Sequence, residues 1–161
     1  MSTSSAAQQP SPQLFFQTIN AHQRTEALKA GIELEVFTAI GEGNTTVAEI
    51  AKRCQTSEKG MRVLCDFLTT MEMLTKQGDH YALTLDSSVF LDKRSPAYLG
   101  AATEFLCSPM LIEGFKQMTE AVRKGGTAIE GDGTIGPDHP IWVKFARGMA
   151  GMMAGGMGGG K

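Results

Sequence analysis

The sequence predicts a mainly α-helical protein that contains a helix-turn-helix and a small β-hairpin. Three observations support this fold class. Apolar residues recur with helical spacing over most of the chain. The stretch from Thr45 to Leu85 has the pattern of two helices followed by two short strands, and further helical segments flank it on both sides. We therefore expect a winged helix-turn-helix core with flanking helices.

The region before the helix-turn-helix is predicted to be helical. Residues 13–31 combine helical spacing with few helix breakers. Gly31 is expected to end or kink this helix, because glycine is common just beyond helix C-termini. Residues 33–40 are then predicted to resume the helix, and a glycine-containing loop follows at 41–44.

The two central helices have recognisable start signals. Thr46 followed by Glu49 predicts a capping box, in which each side chain accepts a hydrogen bond from a backbone donor near the other residue. Ser57 is positioned to cap the second helix. A buried stripe along that helix is predicted from the spacing of Met61, Leu64, Cys65, Leu68 and Met71.

A hairpin is predicted directly after the second helix. Residues 74–76 lead into the turn signal Gly78-Asp79. Tyr81, Leu83 and Leu85 then alternate with small or polar residues, which is typical of a half-buried strand.

The charges of the winged-helix stretch cancel. Its cations Lys52, Arg53, Lys59, Arg62 and Lys76 are offset by Glu49, Glu58, Asp66, Glu72 and Asp79. A surface that grips phosphates needs an excess of Lys and Arg, and the whole chain has a net charge of -2. No apolar run approaches the roughly 18 residues of a membrane span. We therefore expect neither a nucleic acid nor a membrane as partner.

Two Ser-Pro pairs predict helix starts beyond the hairpin, because serine caps helices and proline favours the first helical position. The pairs are Ser95-Pro96 and Ser108-Pro109. The helix after the second pair is predicted to end at the cations and glycines of residues 123–126. Its apolar face consists of Leu111, Phe115, Met118 and Val122.

The rest of the C-terminal region is predicted to contain one more helix. Residues 127–139 have the composition of a loop, and Pro140 is predicted to start an amphipathic helix with Ile141, Trp142, Phe145 and Met149. Both chain ends are predicted to be flexible. Residues 1–12 are rich in Ser, Ala, Gln and Pro, and residues 151–161 are mostly Gly with Met. The domain itself is therefore expected to span residues 13–150.

The sequence predicts no catalytic residue and no metal site. Cys54, Cys65 and Cys107 are widely spaced, and none stands at a metal-site distance from a histidine. Three reduced thiols are typical of a cytoplasmic protein, which is the location we expect.

Four segments together resemble a known family. They are KAGIELEVF at 29–37, TVAEIA at 46–51, RVLCDFL at 62–68 and VKFARGM at 143–149. Their order and spacing resemble the N-terminal winged-helix dimerisation domain of the class I S-adenosylmethionine-dependent small-molecule O-methyltransferases. The resemblance covers about residues 14–150.

The resemblance implies a homodimer, paired through the helices at both ends of the domain. In the parent family S-adenosylmethionine binds to a Rossmann-like catalytic domain that follows this one, and a histidine there is the general base. Neither the glycine-rich cofactor turn nor that histidine is found in these 161 residues. We therefore expect no cofactor in this chain and no methyl transfer by the chain alone.

The resemblance also implies a pocket for a small aromatic or polyketide-like acceptor. The matching substrate-pocket positions are Leu106, Cys107, Ile112, Ile141, Phe145 and Met149. The positions that would reach the partner subunit's pocket are Phe15 and Phe16. Cys107 replaces a polar residue that is common in plant members.

Other interpretations remain open from the residues alone. An aromatic or Met stripe at helical spacing more often packs a core or an interface than a ligand. A winged-helix transcriptional regulator would show strong and steeply salt-dependent DNA binding. A standalone small-molecule binding module would bind planar aromatic ligands tightly as the isolated chain.

Overall fold

The computed structural model describes residues 9–126 together with Val143, Ala146 and Ala150, and it confirms the mainly α-helical fold with one small hairpin. The first helices are α1 (Gln13–Ile19), α2 (Ala21–Glu33), α3 (Val36–Gly41), α4 (Val47–Arg53) and α5 (Glu58–Thr70). The hairpin and the later helices are β1 (Leu74–Gln77), β2 (His80–Leu83), α6 (Leu85–Phe90), α7 (Thr103–Leu106), α8 (Pro109–Lys116) and α9 (Met118–Lys124). A short 3-10 helix, Gly100–Ala102, precedes α7.

The N-terminal helices break at different residues from those predicted. A turn at Asn20 separates α1 from α2. The prediction that Gly31 ends the helix was wrong, because α2 continues through it to Glu33. A Cβ at Gly31 would lie 3.0 Å from Cε2 of Phe37, so the glycine allows close helix packing. The actual break is at Glu35, whose φ of 58° is in the left-handed region.

The helix-turn-helix begins at the predicted caps. The amide of Glu49 donates to Oγ1 of Thr46 at 3.4 Å, and the amide of Thr46 donates to Oε2 of Glu49 at 3.0 Å. This confirms the capping box of α4. The amide of Gly60 donates to Oγ of Ser57 at 3.1 Å, which confirms the predicted cap of α5.

The hairpin packs against the start of α4. Its antiparallel register pairs Leu74 with Leu83, and the amide of Tyr81 donates to the carbonyl of Thr45 at 2.8 Å. The prediction that the second strand reaches Leu85 was wrong. A capping box between Thr84 and Ser87 starts α6 there, and the Leu85 side chain is 80% exposed.

The hydrophobic core lies in the winged helix and the helices that precede it. It contains Ile32, Val36, Phe37, Ala39, Ile40, Val47, Ile50, Ala51, Met61, Cys65, Leu68, Met71, Leu74 and Tyr81. Four members of the predicted α5 stripe are among them, whereas Leu64 is only partly buried. By contrast, α1, α7, α8 and α9 contribute no buried residue.

The segments after the hairpin follow the prediction in part. Ser95-Pro96 does not start a helix, because Oγ of Ser95 accepts from the amide of Ala97 and closes a turn. Ser108-Pro109 does start α8. The long helix predicted after it is divided at Gln117, and α9 ends as predicted at a left-handed Gly125.

Some predictions fall beyond the part of the chain that the structure describes. They are the loop at 127–139, the helix start at Pro140 and the tail at 151–161. None of the helices within the described residues combines the length and apolarity that crossing a bilayer requires.

Candidate functional site

The first helix presents an unusually apolar surface. Leu14, Phe15, Phe16 and Ile19 are 75%, 63%, 55% and 57% exposed, and the sequence of α1 contains no charged residue. The rings of Phe15 and Phe16 meet edge to face, with centroids 5.3 Å apart and an interplanar angle of 76°. An uncharged helix whose large apolar side chains are this exposed is typical of a contact surface.

A second apolar surface follows the hairpin. Leu106 at the end of α7 is exposed. Phe115 of α8 is exposed as well, and so are Met118 and Val122 of α9. Neither α8 nor α9 buries a residue within the described part of the chain. Apolar helices therefore lie on both sides of the winged-helix core in sequence, as expected for flanking contact helices.

Three of the predicted pocket residues lie around the junction of α7 and α8. Leu106 ends α7, Cys107 follows it as a half-buried residue, and Ile112 is half-buried in the first turn of α8. Ile141, Phe145 and Met149 lie outside the described residues. The two partner-pocket residues, Phe15 and Phe16, are on the exposed α1 surface.

The buried hydroxyl of Ser108 lies at the same junction, and Ser108 is not among the site residues predicted from the sequence. Ser108 is 5% exposed and has the extended backbone of a helix-capping residue, but its side chain makes no capping hydrogen bond. Its Oγ is enclosed and has no hydrogen-bond partner. The Ser-Pro pair predicted a helix start correctly, and it gave no signal that the serine hydroxyl would be buried and unpaired.

An ion-pair cluster holds the winged helix to its neighbours. Oε1 of Glu35 lies 2.5 Å from Nζ of Lys93, and Oε2 of Glu35 lies 3.2 Å from Nη2 of Arg53. Arg53 also donates to Glu42 at 2.7 Å. The hydrogen bonds from Lys93 and Arg53 hold the pKa of Glu35 below its ordinary value. This cluster connects the α2–α3 junction with α4 and with the segment after α6.

One charge of α5, the helix that a DNA-binding winged helix would use to read bases, pairs with the hairpin. Oδ1 of Asp66 in α5 lies 2.6 Å from Nζ of Lys76 in β1, and it accepts a hydrogen bond from the Tyr81 hydroxyl with 2.6 Å between the two oxygens. The hydrogen bond from Lys76 lowers the pKa of Asp66. Val63, on the same helix, is an exposed apolar residue. Part of the charge balance predicted from the sequence is thus a direct ion pair between α5 and the hairpin.

The most deeply buried cysteine, Cys65, belongs to the hydrophobic core. Burial raises the pKa of Cys65 to about 12, and its Sγ lies 3.5 Å from Sδ of Met61. All three cysteines are free thiols. No group of three His, Cys, Asp or Glu residues capable of holding a metal occurs in the described part of the chain.

The winged helix is thus flanked in sequence, on both sides, by helices with exposed apolar residues. Residues 16–93 match the family model described as the O-methyltransferase dimerisation domain, and this part of the chain is an O-methyltransferase dimerisation domain.

Relatives of known structure or curated function support the same family. The chain is 54% identical to a Nostoc punctiforme PCC 73102 protein provisionally assigned as an O-methyltransferase, with a TM-score of 0.87 over 92% of this chain and 45% of that one. It is 28% identical, over 68% of its length, to the tetracenomycin polyketide synthesis 8-O-methyl transferase TcmO of Streptomyces glaucescens. Human N-acetylserotonin methyltransferase, solved with SAM, shares the fold at 20% identity and a TM-score of 0.71.

The chain covers only part of these relatives. It spans 32% of TcmO, 45% of the Nostoc protein and 48% of the human enzyme. The similarity to the human enzyme supports the fold of the domain and nothing about its ligands.

Proposed function

We propose that this chain is the dimerisation and acceptor-pocket (lid) part of an S-adenosylmethionine-dependent O-methyltransferase, and that two copies pair as a homodimer. One observation carries the proposal. The winged-helix core is closed without α1, whereas every large apolar side chain of α1 is more than half exposed. Such a surface is stable in water when a second chain covers it.

The acceptor that we propose is a planar aromatic or polyketide-like molecule. The name of TcmO, which assigns it to polyketide synthesis, supports this class. On this chain the pocket would be formed by Leu106, Cys107 and Ile112, and by Ile141, Phe145 and Met149 of the proposed last helix. Aromatic rings and thioethers pack well against flat ligands.

The cofactor would bind in the remainder of the enzyme. Within residues 9–126 the only sheet is the antiparallel pair β1–β2, and a Rossmann-type site needs a parallel strand, a glycine-rich turn and a helix. These residues do not fit S-adenosylmethionine. We propose that their task is pairing and acceptor binding.

Sedimentation equilibrium tests the pairing. The wild-type chain is expected to be a dimer, and the double substitution Phe15→Glu with Phe16→Glu is expected to give a folded monomer, because it places two charges in the buried interface. Leu85→Glu is the control, since Leu85 is an apolar residue that is even more exposed, at 80%, but lies on α6. A wild-type monomer, or a double variant that stays dimeric, would refute the proposal.

DNA binding is an alternative function, and the ion pairs of the winged-helix stretch argue against it. Asp66 pairs with Lys76, and Arg53 pairs with Glu35 and Glu42, so two of the five cations of the stretch are already neutralised. Tight DNA binding that falls steeply with salt concentration would reverse this conclusion.

A further inference from the structure

The buried hydroxyl of Ser108 lies at the N-terminus of α8. α8 has eight residues, and Ser108 is its capping residue with a ψ of 143°. In this conformation a serine ordinarily accepts from an amide of the first turn. Here Oγ is enclosed, and it has no hydrogen-bond partner. Buried hydroxyls are nearly always paired, so a lone one points to a missing partner.

The neighbouring backbone also has unused donors. Pro109 has no N–H, and the amide of Ile112 donates to the carbonyl of Ser108 at 3.1 Å. Within residues 9–126, the amides of Met110 and Leu111 have no hydrogen-bond partner. Amides of a first helical turn point along the helix axis beyond its N-terminus and favour an electron-rich atom there. One hydroxyl and two amides without a hydrogen-bond partner thus lie within four residues of one another at the start of α8.

This group of donors lies among the proposed acceptor-pocket residues. Leu106 and Cys107 precede Ser108 directly, and Ile112 is four residues after it on α8. These three side chains offer an apolar or weakly polar surface for a ring. The donors at the start of α8 offer hydrogen bonds to an oxygen attached to that ring.

We propose that Ser108 and the N-terminus of α8 bind a ring-conjugated carbonyl oxygen of the aromatic acceptor. This inference rests on the proposed function, because it places the oxygen in the pocket proposed there. The Ser108 hydroxyl donates to the oxygen, and the amides of Met110 and Leu111 complete its environment. The chemical class selected is an aromatic ketone or quinone, and a plain hydrocarbon ring of the same shape binds less well.

A matched pair of probes tests this selection on the full chain. 2-Acetylnaphthalene and 2-ethylnaphthalene have nearly the same shape, but only the first has a carbonyl oxygen. The wild-type chain is expected to prefer the ketone in equilibrium dialysis. Ser108→Ala is expected to weaken ketone binding about two- to tenfold, which is the usual net effect of one hydrogen bond, and to leave binding of the hydrocarbon unchanged.

Two further variants separate this role from a structural one. Ser108→Thr retains a hydroxyl and is expected to restore the preference. Ser88→Ala removes a hydroxyl that donates to the carbonyl of Leu85 and is remote in sequence from α8. This variant is expected to leave the preference for the ketone unchanged. The infrared carbonyl stretch of bound ¹³C-labelled ketone should lie at lower frequency in wild type than in Ser108→Ala. A structural serine would not produce that shift.

The outcomes distinguish the two proposals. If the chain binds both probes but Ser108→Ala changes neither the preference nor the carbonyl stretch, the role of Ser108 is refuted and the pocket stands. If Ser108→Ala lowers the melting temperature and weakens both probes equally, Ser108 is a structural cap and the inference also fails. If the wild-type chain binds neither probe, the pocket and the inference fail together.

Discussion

Some single residues of this domain are constrained by close contacts that the hydrophobic pattern of the sequence does not reveal. Gly41 is the last residue of α3, and a Cβ there would lie 2.2 Å from Oδ2 of Asp92 and 2.5 Å from Nη2 of Arg94. Asp92 is buried and pairs with Arg94 at 2.7 Å. The glycine is therefore required by the ion pair that packs against it.

Gly41→Ala is expected to destabilise the domain by about 1–3 kcal/mol, the usual effect of forcing an extra methyl group into a packed site. Urea unfolding followed by circular dichroism measures this change. Gly126→Ala is the control, because a Cβ there meets no atom within 4 Å. Equal stability of the two variants would show that the Asp92–Arg94 pair moves aside freely.

The three cysteines are expected to differ in reactivity. Burial raises the pKa of Cys65 to about 12, so the native protein contains almost no Cys65 thiolate at pH 8. Cys107 is half-buried in the chain segment between α7 and α8. Alkylation with iodoacetamide, followed by mass spectrometry, should modify Cys107 at least tenfold faster than Cys65. Unfolding in urea should equalise the rates, and equal rates in the native protein would contradict this prediction.

At the scale of elements, the junction of α2 and α3 depends on Glu35. Its left-handed φ stands at the residue directly before α3, and its carboxylate receives hydrogen bonds from Lys93 and Arg53. These bonds lower the pKa of Glu35 in the folded state. Its stabilising effect is therefore complete above the ordinary pKa of 4.5 and is lost as the pH falls through the lowered folded value.

Glu35→Gln is accordingly expected to destabilise the domain at pH 7 by less than about 1 kcal/mol, since partly exposed ion pairs contribute little. The difference from wild type should shrink as the pH falls below 4.5 and should vanish once the pH is below the lowered folded pKa of Glu35. Urea midpoints measured across this range test the expectation. Glu33→Gln is the control, because Glu33 is exposed and lies 3.9 Å from Lys29. A difference that is independent of pH would contradict a role for the carboxylate charge.

The elements show what local sequence can predict. The Thr46–Glu49 capping box and the Ser57 cap depend only on neighbours in the chain, and both were predicted correctly. The break at Glu35 and the uninterrupted helix at Gly31 depend on contacts with Lys93 and Phe37, which are remote or lie across a turn. Sequence patterns do not contain that information.

The candidate site was predictable to a similar extent. The Ser-Pro signal places the start of α8 correctly, and the family resemblance brings Leu106, Cys107 and Ile112 to the same junction. The unpaired state of Ser108 depends on how surrounding residues enclose its hydroxyl, which only a structure can show.

At the scale of the whole molecule, pairing is expected to add to the stability of the folded chain. The apolar surface of α1 is uncovered in a single copy, so dimer formation would stabilise the folded state by mass action.

The melting temperature of the wild-type chain should therefore rise by several degrees when its concentration is raised about a hundredfold. The variant with Phe15→Glu and Phe16→Glu should melt at a constant temperature over the same range. Differential scanning calorimetry gives both values. A constant wild-type melting temperature would show that the chain folds and persists as a monomer.

The contact between α5 and the hairpin has a consequence for how this domain could change during evolution. Asp66 neutralises Lys76 and holds the Tyr81 hydroxyl, so one carboxylate secures the hairpin to the helix that a DNA-binding relative would use for reading. A mutation that made this helix more basic by replacing Asp66 would also loosen the hairpin. Acquiring DNA recognition by that route would therefore require a second, compensating substitution that secures the hairpin again.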